Sequence, residues 1–184
     1  MINLFISLYL LLSVPADPAG LKVGDKAPSF SALNQDGKEI LLEESLQQGK
    51  VILTFYRGAW CKYCMQQFKN YQDSLALIED KGATLIAITP EHEDGVAKTV
   101  RISGATFSIL HDEKLEIMQA YQVISPDKVS KFQNEMAETG IDNQEKYLPV
   151  PATYVISQDG IIEYVYFDPN YKVRVYINDL LNEL

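Results

Sequence analysis

Two periods of apolar residues alternate along the chain, and together they predict its elements. Residues 51–56 (VILTFY) and 83–89 (ATLIAIT) are continuous apolar runs rich in β-branched and aromatic residues, which predicts buried central strands. Between them Phe68, Tyr71, Leu75 and Ile78 recur at steps of three and four. That stripe predicts one helix running from Met65 to a stop near Lys81-Gly82. Upstream, Asn34-Gln35-Asp36-Gly37 is a turn between residues 29–33 and 38–42, an expected N-terminal β-hairpin. Downstream, residues 93–102 read as a surface helix and 107–110 as a short strand. Residues 114–121 read as a helix with Leu115 and Met118 inward. Residues 152–156 and 161–167 flank Gln158-Asp159-Gly160 as a second hairpin. Residues 176–184 then close the chain as a helix whose apolar positions are Ile177, Leu180, Leu181 and Leu184.

Strand and helix thus alternate before the final hairpin and helix. This order predicts an α/β fold, with a mixed central sheet flanked by helices on both faces. One segment breaks the rhythm. Residues 123–150 form a long, largely polar connection with a helix expected around 128–138, and connections of that length are usually functional or an insertion. The whole chain, 184 residues, fits a single domain with one core.

The first residues stand apart from this pattern. Residues 4–14 (LFISLYLLLSV) are uncharged and too few to span a bilayer comfortably, and Val14-Pro15-Ala16 offers small residues before Asp17. Residues 1–16 are therefore a candidate signal peptide ahead of a domain at 21–184, and export to the periplasm or beyond is expected from it. No Lys or Arg precedes the run, so a strand or helix packed on a cytoplasmic domain is the competing reading. Charge narrows the partners. With 25 acidic against 16 basic residues and a net charge of -9, the surface repels phosphate backbones, and no nucleic-acid partner is expected.

The chemistry concentrates in Cys61-Lys62-Tyr63-Cys64, which holds both cysteines of the chain. The motif follows a predicted buried strand and the short run Arg57-Gly58-Ala59-Trp60, and it opens the next helix. Thiols there meet the unpaired N–H groups and positive pole of the helix, which favour the thiolate. A disulfide across so small a loop restricts the unfolded chain little, so a structural staple is a poor explanation. Zinc needs two further ligands, and only His92 and His111 are obvious ones. Both histidines sit in acidic company and read as solvated loop residues. The motif therefore reads as a redox pair rather than a metal site or inert core thiols, and no cofactor is called for. Arg57, four residues before the first thiol, is a candidate to lay its guanidinium over the sulfurs; pairing with a surface carboxylate is its other reading.

Three blocks in order carry a resemblance: FYRGAWCKYC, VGDKAPSF upstream and PVPATYVISQDG downstream. With the late segment YVYFDPNY, they make the chain from Leu21 onward similar to the peroxiredoxin-like branch of the alkyl hydroperoxide reductase/thiol-specific antioxidant family. The resemblance implies a thioredoxin fold with an extended N-terminus, and peroxide reduction through a cysteine sulfenic acid. It also shows departures. Where the family has Pro-x-x-x-Thr-x-x-Cys, this chain has Arg57, Cys61 and Cys64 at the Pro, Thr and Cys positions, and the family's late Arg falls at Pro151. Trp60 and the run Val150-Pro151-Ala152-Thr153 instead resemble thioredoxins. By that resemblance Trp60, Val150 and Pro151 support the substrate, with a cis-proline facing the dithiol.

Magnitudes show what those departures put at stake. A thiol of ordinary pKa is ~3% thiolate at pH 7, and lowering the pKa by two units gives ~75%. Intrinsic nucleophilicity falls roughly eightfold over the same two units, leaving a net gain of about threefold. Fast peroxide reduction must therefore come from donors that stabilise the departing oxygen, the work of the missing Thr and Arg. Thiol–disulfide exchange requires neither.

Three functions stay open on the sequence. The first is a peroxidase in which Cys64 attacks a hydroperoxide, Cys61 resolves, and a thioredoxin-like dithiol resets the pair. The second is a thioredoxin-type disulfide reductase with Cys61 attacking a protein disulfide. The third is a non-catalytic redox-sensing module. A homodimer is a possible assembly for any of them.

Overall fold

The computed structural model describes residues 18–125, Met136 and residues 147–184. The apolar run at 4–14 and the helix expected around 128–138 fall outside them, apart from Met136. A two-stranded hairpin comes first, β1 (Ser31–Leu33) with β2 (Glu39–Leu41), as the turn predicts. Asn34 closes it, its Oδ1 accepting the backbone N–H groups of Asp36 and Lys38, each at 3.0 Å.

The main sheet has five strands in the order β5 (Ser108–His111), β4 (Ala83–Thr89), β3 (Lys50–Phe55), β6 (Ala152–Ile156), β7 (Ile162–Phe167). β3 runs parallel to β4 and antiparallel to β6, so the sheet is mixed, as expected. Period-two alternation divides the core between its faces. Leu53, Phe55, Ile86, Ile88, Tyr154 and Ile156 point to one face, with α1 (Leu42–Leu46) and α5 (Glu116–Ala120). Ile52, Tyr56, Leu85, Ala87, Ile109 and Val155 point to the other, which is covered by α2 (Lys62–Asp73), α3 (Leu75–Asp80), α4 (Glu93–Ser103) and α6 (Ile177–Asn182). Gly49 shows how tightly the parallel pair is seated, since a Cβ there would lie 1.9 Å from the Gly82 carbonyl oxygen.

Several boundaries differ from the expectation. The helix expected from Met65 to Lys81 divides at Ser74, whose N–H takes a tighter bond to the Tyr71 carbonyl (3.2 Å). Serine is a poor helix interior residue because its hydroxyl competes for backbone partners. α5 starts at Glu116, not at 114, because the Asp112 carboxylate takes the N–H groups of Ile117 (3.1 Å) and Met118 (2.8 Å) and Leu115 turns left-handed. α1 was not foreseen at all: five residues are too few to show a period.

The long connection leaves and returns at one place. Ser125 N–H donates to the Leu148 carbonyl (2.8 Å) and Val150 N–H to the Val123 carbonyl (2.7 Å), a short antiparallel stem. Met136 and Leu148 are buried there, with Trp60 packed against them.

Candidate active site

Parallel strands β3 and β4 both deliver their C-terminal ends to the same edge of the sheet, and the dithiol lies there. Tyr56 extends β3 by one bond to the Ile88 carbonyl (3.0 Å), residues 57–60 turn, and Cys61 becomes the N-cap of α2. Its Sγ accepts the Cys64 N–H at 3.4 Å, the place a serine or aspartate oxygen takes at an ordinary helix start. Cys61 and Cys64 are joined as a disulfide, their Cα atoms 5.3 Å apart. Neither is open to water: Cys61 is 4% exposed and Cys64 0%.

The turn is held from below. Glu91, directly after β4 and 0% exposed, accepts the Ala59 N–H at 2.9 Å. Gly58 has φ +148°, and a Cβ there would stand 2.6 Å from both Glu91 Oε1 and Trp60 Nε1. Only glycine fits this turn over the carboxylate. Burial, reinforced by the Glu91 charge, pushes the Tyr56 phenol well above its ordinary range, so it stays neutral and donates to Thr99 Oγ1 at 3.2 Å.

Two guanidiniums converge on the site. Arg57 is buried, its guanidinium carbon 4.3 Å from the Tyr171 ring centroid and 4.9 Å from that of Trp60, a cation–π position. Burial brings its pKa down to about 10, with Tyr171 opposing and the like charge of Arg174 reinforcing. The cation that reaches the sulfurs is Arg174, from the segment before α6. Its Nη2 lies 3.1 Å from Cys64 Sγ and 3.7 Å from Cys61 Sγ. Its Nη1 donates to the carbonyls of Tyr171 (2.5 Å) and Val173 (2.7 Å) in its own segment. Behind it, Gln67 Nε2 donates to Tyr71 Oη (2.7 Å), Tyr71 pairs with Thr153 Oγ1 (3.4 Å), and Thr153 with Thr54 Oγ1 (3.0 Å). A pocket of about 170 Å³ opens beside Arg174, lined among others by Tyr63, Gln67, Tyr71 and Lys172.

The structure gathers Cys61, Cys64, Arg57 and Trp60 into one site, and it places Val150 and Pro151 just before β6, the strand paired with β3. The register Phe55↔Ala152 sets Pro151 next to Tyr56. No peptide bond among the described residues is cis, so the bond before Pro151 is trans, against the expectation carried by the thioredoxin resemblance. The trans form is the intrinsically favoured one, and it suits an extended entry into β6 with Val150 bonded to Val123. His92 sits half exposed before α4, 3.9 Å from Glu113, but His111 ends β5 with Nδ1 shielded from solvent. Among the described residues no group of three His, Cys, Asp or Glu side chains is placed to hold a metal ion, and no helix is long and apolar enough to cross a membrane.

Sequence reading missed Arg174 and Glu91. Glu91 had a signal, as a carboxylate at the C-terminal end of a buried strand. Arg174 had none, being 110 residues from Cys64 in a run without local periodicity.

A sequence model described as the AhpC/TSA family matches residues 23–165. The chain belongs to the AhpC/TSA family. Within that frame, a peroxiredoxin of Mycobacterium tuberculosis is 30% identical over 101 residues, covering 55% of this chain and 64% of that protein. Peroxiredoxin bcp of Helicobacter pylori is 23% identical over 164 residues, covering 89% of this chain and 98% of its own. The thiol-disulfide oxidoreductase ResA of Bacillus thuringiensis is 26% identical over 141 residues, covering 76% of this chain and 66% of ResA. Peroxidoxin BcpB from M. tuberculosis superposes with a TM-score of 0.71 at 18% identity, over 89% of this chain and 96% of that one. The superposition bears out the thioredoxin-fold architecture. The AhpC/TSA relatives thus include both peroxiredoxins and a disulfide oxidoreductase, and the Cys61–Cys64 pair fits a redox pair in either setting.

Proposed function

We propose that this AhpC/TSA protein is a thiol-dependent peroxidase working through Cys64 and Cys61. The observation that carries the reading is a guanidinium within 3.1 Å of Cys64 Sγ, the kind of donor that peroxide reduction needs and disulfide exchange does not. In the first step the Cys64 thiolate attacks the terminal peroxide oxygen. The S–O bond forms, the O–O bond breaks, and the departing alkoxide or hydroxide takes a proton. Cys61 then attacks the sulfenic sulfur, forming the S–S bond and releasing water, and an external thioredoxin-like dithiol returns two electrons. The Cα separation of 5.3 Å accommodates that disulfide without backbone rearrangement.

A second reading rests on its own observation. Cys61 caps α2 with its sulfur on the Cys64 N–H, the geometry of an attacking thiol in disulfide exchange. Steady-state turnover with hydrogen peroxide and a dithiol reductant, set against reduction of insulin disulfides, separates the two. The expected result is peroxide turnover exceeding insulin reduction. Insulin reduction with stoichiometric peroxide reaction alone would put the disulfide reductase first.

A further inference from the structure

We infer that Arg174 is a catalytic residue of this site, holding the Cys64 thiolate and stabilising the oxygen that departs as the peroxide O–O bond breaks. The inference rests on the thiol chemistry proposed above and assigns it a cation from a part of the chain where nothing in the local sequence marks one. The late strand position of the family arginine is Pro151 here, which has no charge to offer. The replacement arrives from the segment between β7 and α6.

Three features of its placement suit the role. First, Nη2 spans both sulfurs but lies closer to Cys64, 3.1 Å against 3.7 Å. Second, the guanidinium is not free to wander. Nη1 is fixed on the Tyr171 and Val173 carbonyls, and the neighbouring residue Val175 is buried in the core. A donor positioned before the reaction loses no free energy to reorganisation during it. Third, the setting is only partly wet, and burial holds the Arg174 pKa below its usual value. A partly desolvated cation attracts a nearby thiolate more strongly than one in bulk water. Arg57, by contrast, is engaged with the Tyr171 and Trp60 rings.

The pocket beside Arg174 supplies an approach for a peroxide, since its lining includes Arg174 itself. A hydroperoxide entering there meets the guanidinium whose Nη2 lies 3.1 Å from Cys64 Sγ. The same contact has a redox consequence. Stabilising the thiolate stabilises the reduced protein over the disulfide, so Arg174 makes the pair more oxidising.

The test uses the full chain with Arg174→Met and Arg174→Lys, each checked for folding by circular dichroism. Thiolate absorbance against pH, the second-order rate with hydrogen peroxide, and the redox equilibrium against glutathione are measured for each. For Arg174→Met the expected result is a Cys64 pKa raised tenfold in proton affinity and a peroxide rate down tenfold or more. Its redox equilibrium should shift about tenfold toward disulfide, or ~30 mV. Arg174→Lys keeps the charge but not the fork, so its values fall between, and it carries the test if the Met variant does not fold. In a Cys61→Ser background the pKa change should exceed that of Cys61 in a Cys64→Ser background. A folded Arg174→Met chain with unchanged thiol pKa and unchanged peroxide rate overturns the inference. If wild type turns over no peroxide, the peroxidase reading fails on its own. The thiol pKa and redox equilibrium then still decide whether Arg174 holds the thiolate.

Discussion

Different groups stabilise the two sulfurs of the dithiol. Cys61 Sγ accepts the Cys64 N–H at the mouth of α2, whereas Cys64 Sγ faces the Arg174 guanidinium. A helix terminus favours a thiolate by a modest fixed dipole, while a guanidinium at contact offers a full charge and a donor. Cys64 therefore suits attack on peroxide, and Cys61, at the mouth of the helix, suits exchange with a disulfide. Cys61→Ser should leave a single peroxide-driven oxidation on Cys64 and abolish turnover. Cys64→Ser should trap mixed disulfides through Cys61 and form no sulfenic acid. Dimedone labelling with peptide mass spectrometry reads both. Sulfenic acid on Cys61 in the second variant, with none on Cys64 in the first, would reverse the assignment.

Among the elements, α5 is held at its start by one titrating side chain. Asp112 is buried at its start, and burial raises its carboxyl to about 6, against the backbone N–H bonds of Met118 and Ile117 that pull it down. The ordinary value is 3.8, so between pH 4 and 6 the native protein holds a proton that the unfolded chain has released. Stability from this group is therefore greatest below pH 4, declines as pH rises to 6 and is level above it. The rise from 3.8 to about 6 makes its full extent about 3 kcal/mol, at about 1.4 kcal/mol per pH unit. Asp112→Asn should flatten that part of the pH profile, with urea midpoints at pH 4.5 and 7 moving closer together. A profile unchanged by the substitution would show that Asp112 does not carry the slope.

Over the whole molecule, the site is assembled from three distant stretches: the turn after β3, Glu91 after β4, and the segment before α6. The last is anchored by α6, where Leu180 is fully buried, and by Lys50, which donates to the Glu183 carbonyl at 3.0 Å. Leu180→Ala should cost about 2–4 kcal/mol through the cavity it leaves. Because α6 anchors the Arg174 segment, the peroxide rate should fall as well, measured beside the urea midpoint. A rate unchanged despite the lost stability would show that Arg174 is held by its own loop alone.

Local pattern was enough for much of this. Continuous apolar runs at 51–56 and 83–89 mark central strands because both their faces are covered, and period two then assigns Leu53 and Ile52 to opposite cores. The dithiol at a helix start was legible for the same reason: the two cysteines and the helix start that holds them lie within one turn of chain. Helix ends were less so, as Asp112 capping α5 shows, because a cap is made by one side chain and leaves no period. Arg174 and Glu91 lay beyond local reading. A charge acts through space, and which charge stands 3.1 Å from a sulfur 110 residues away is decided only when strands and helices pack.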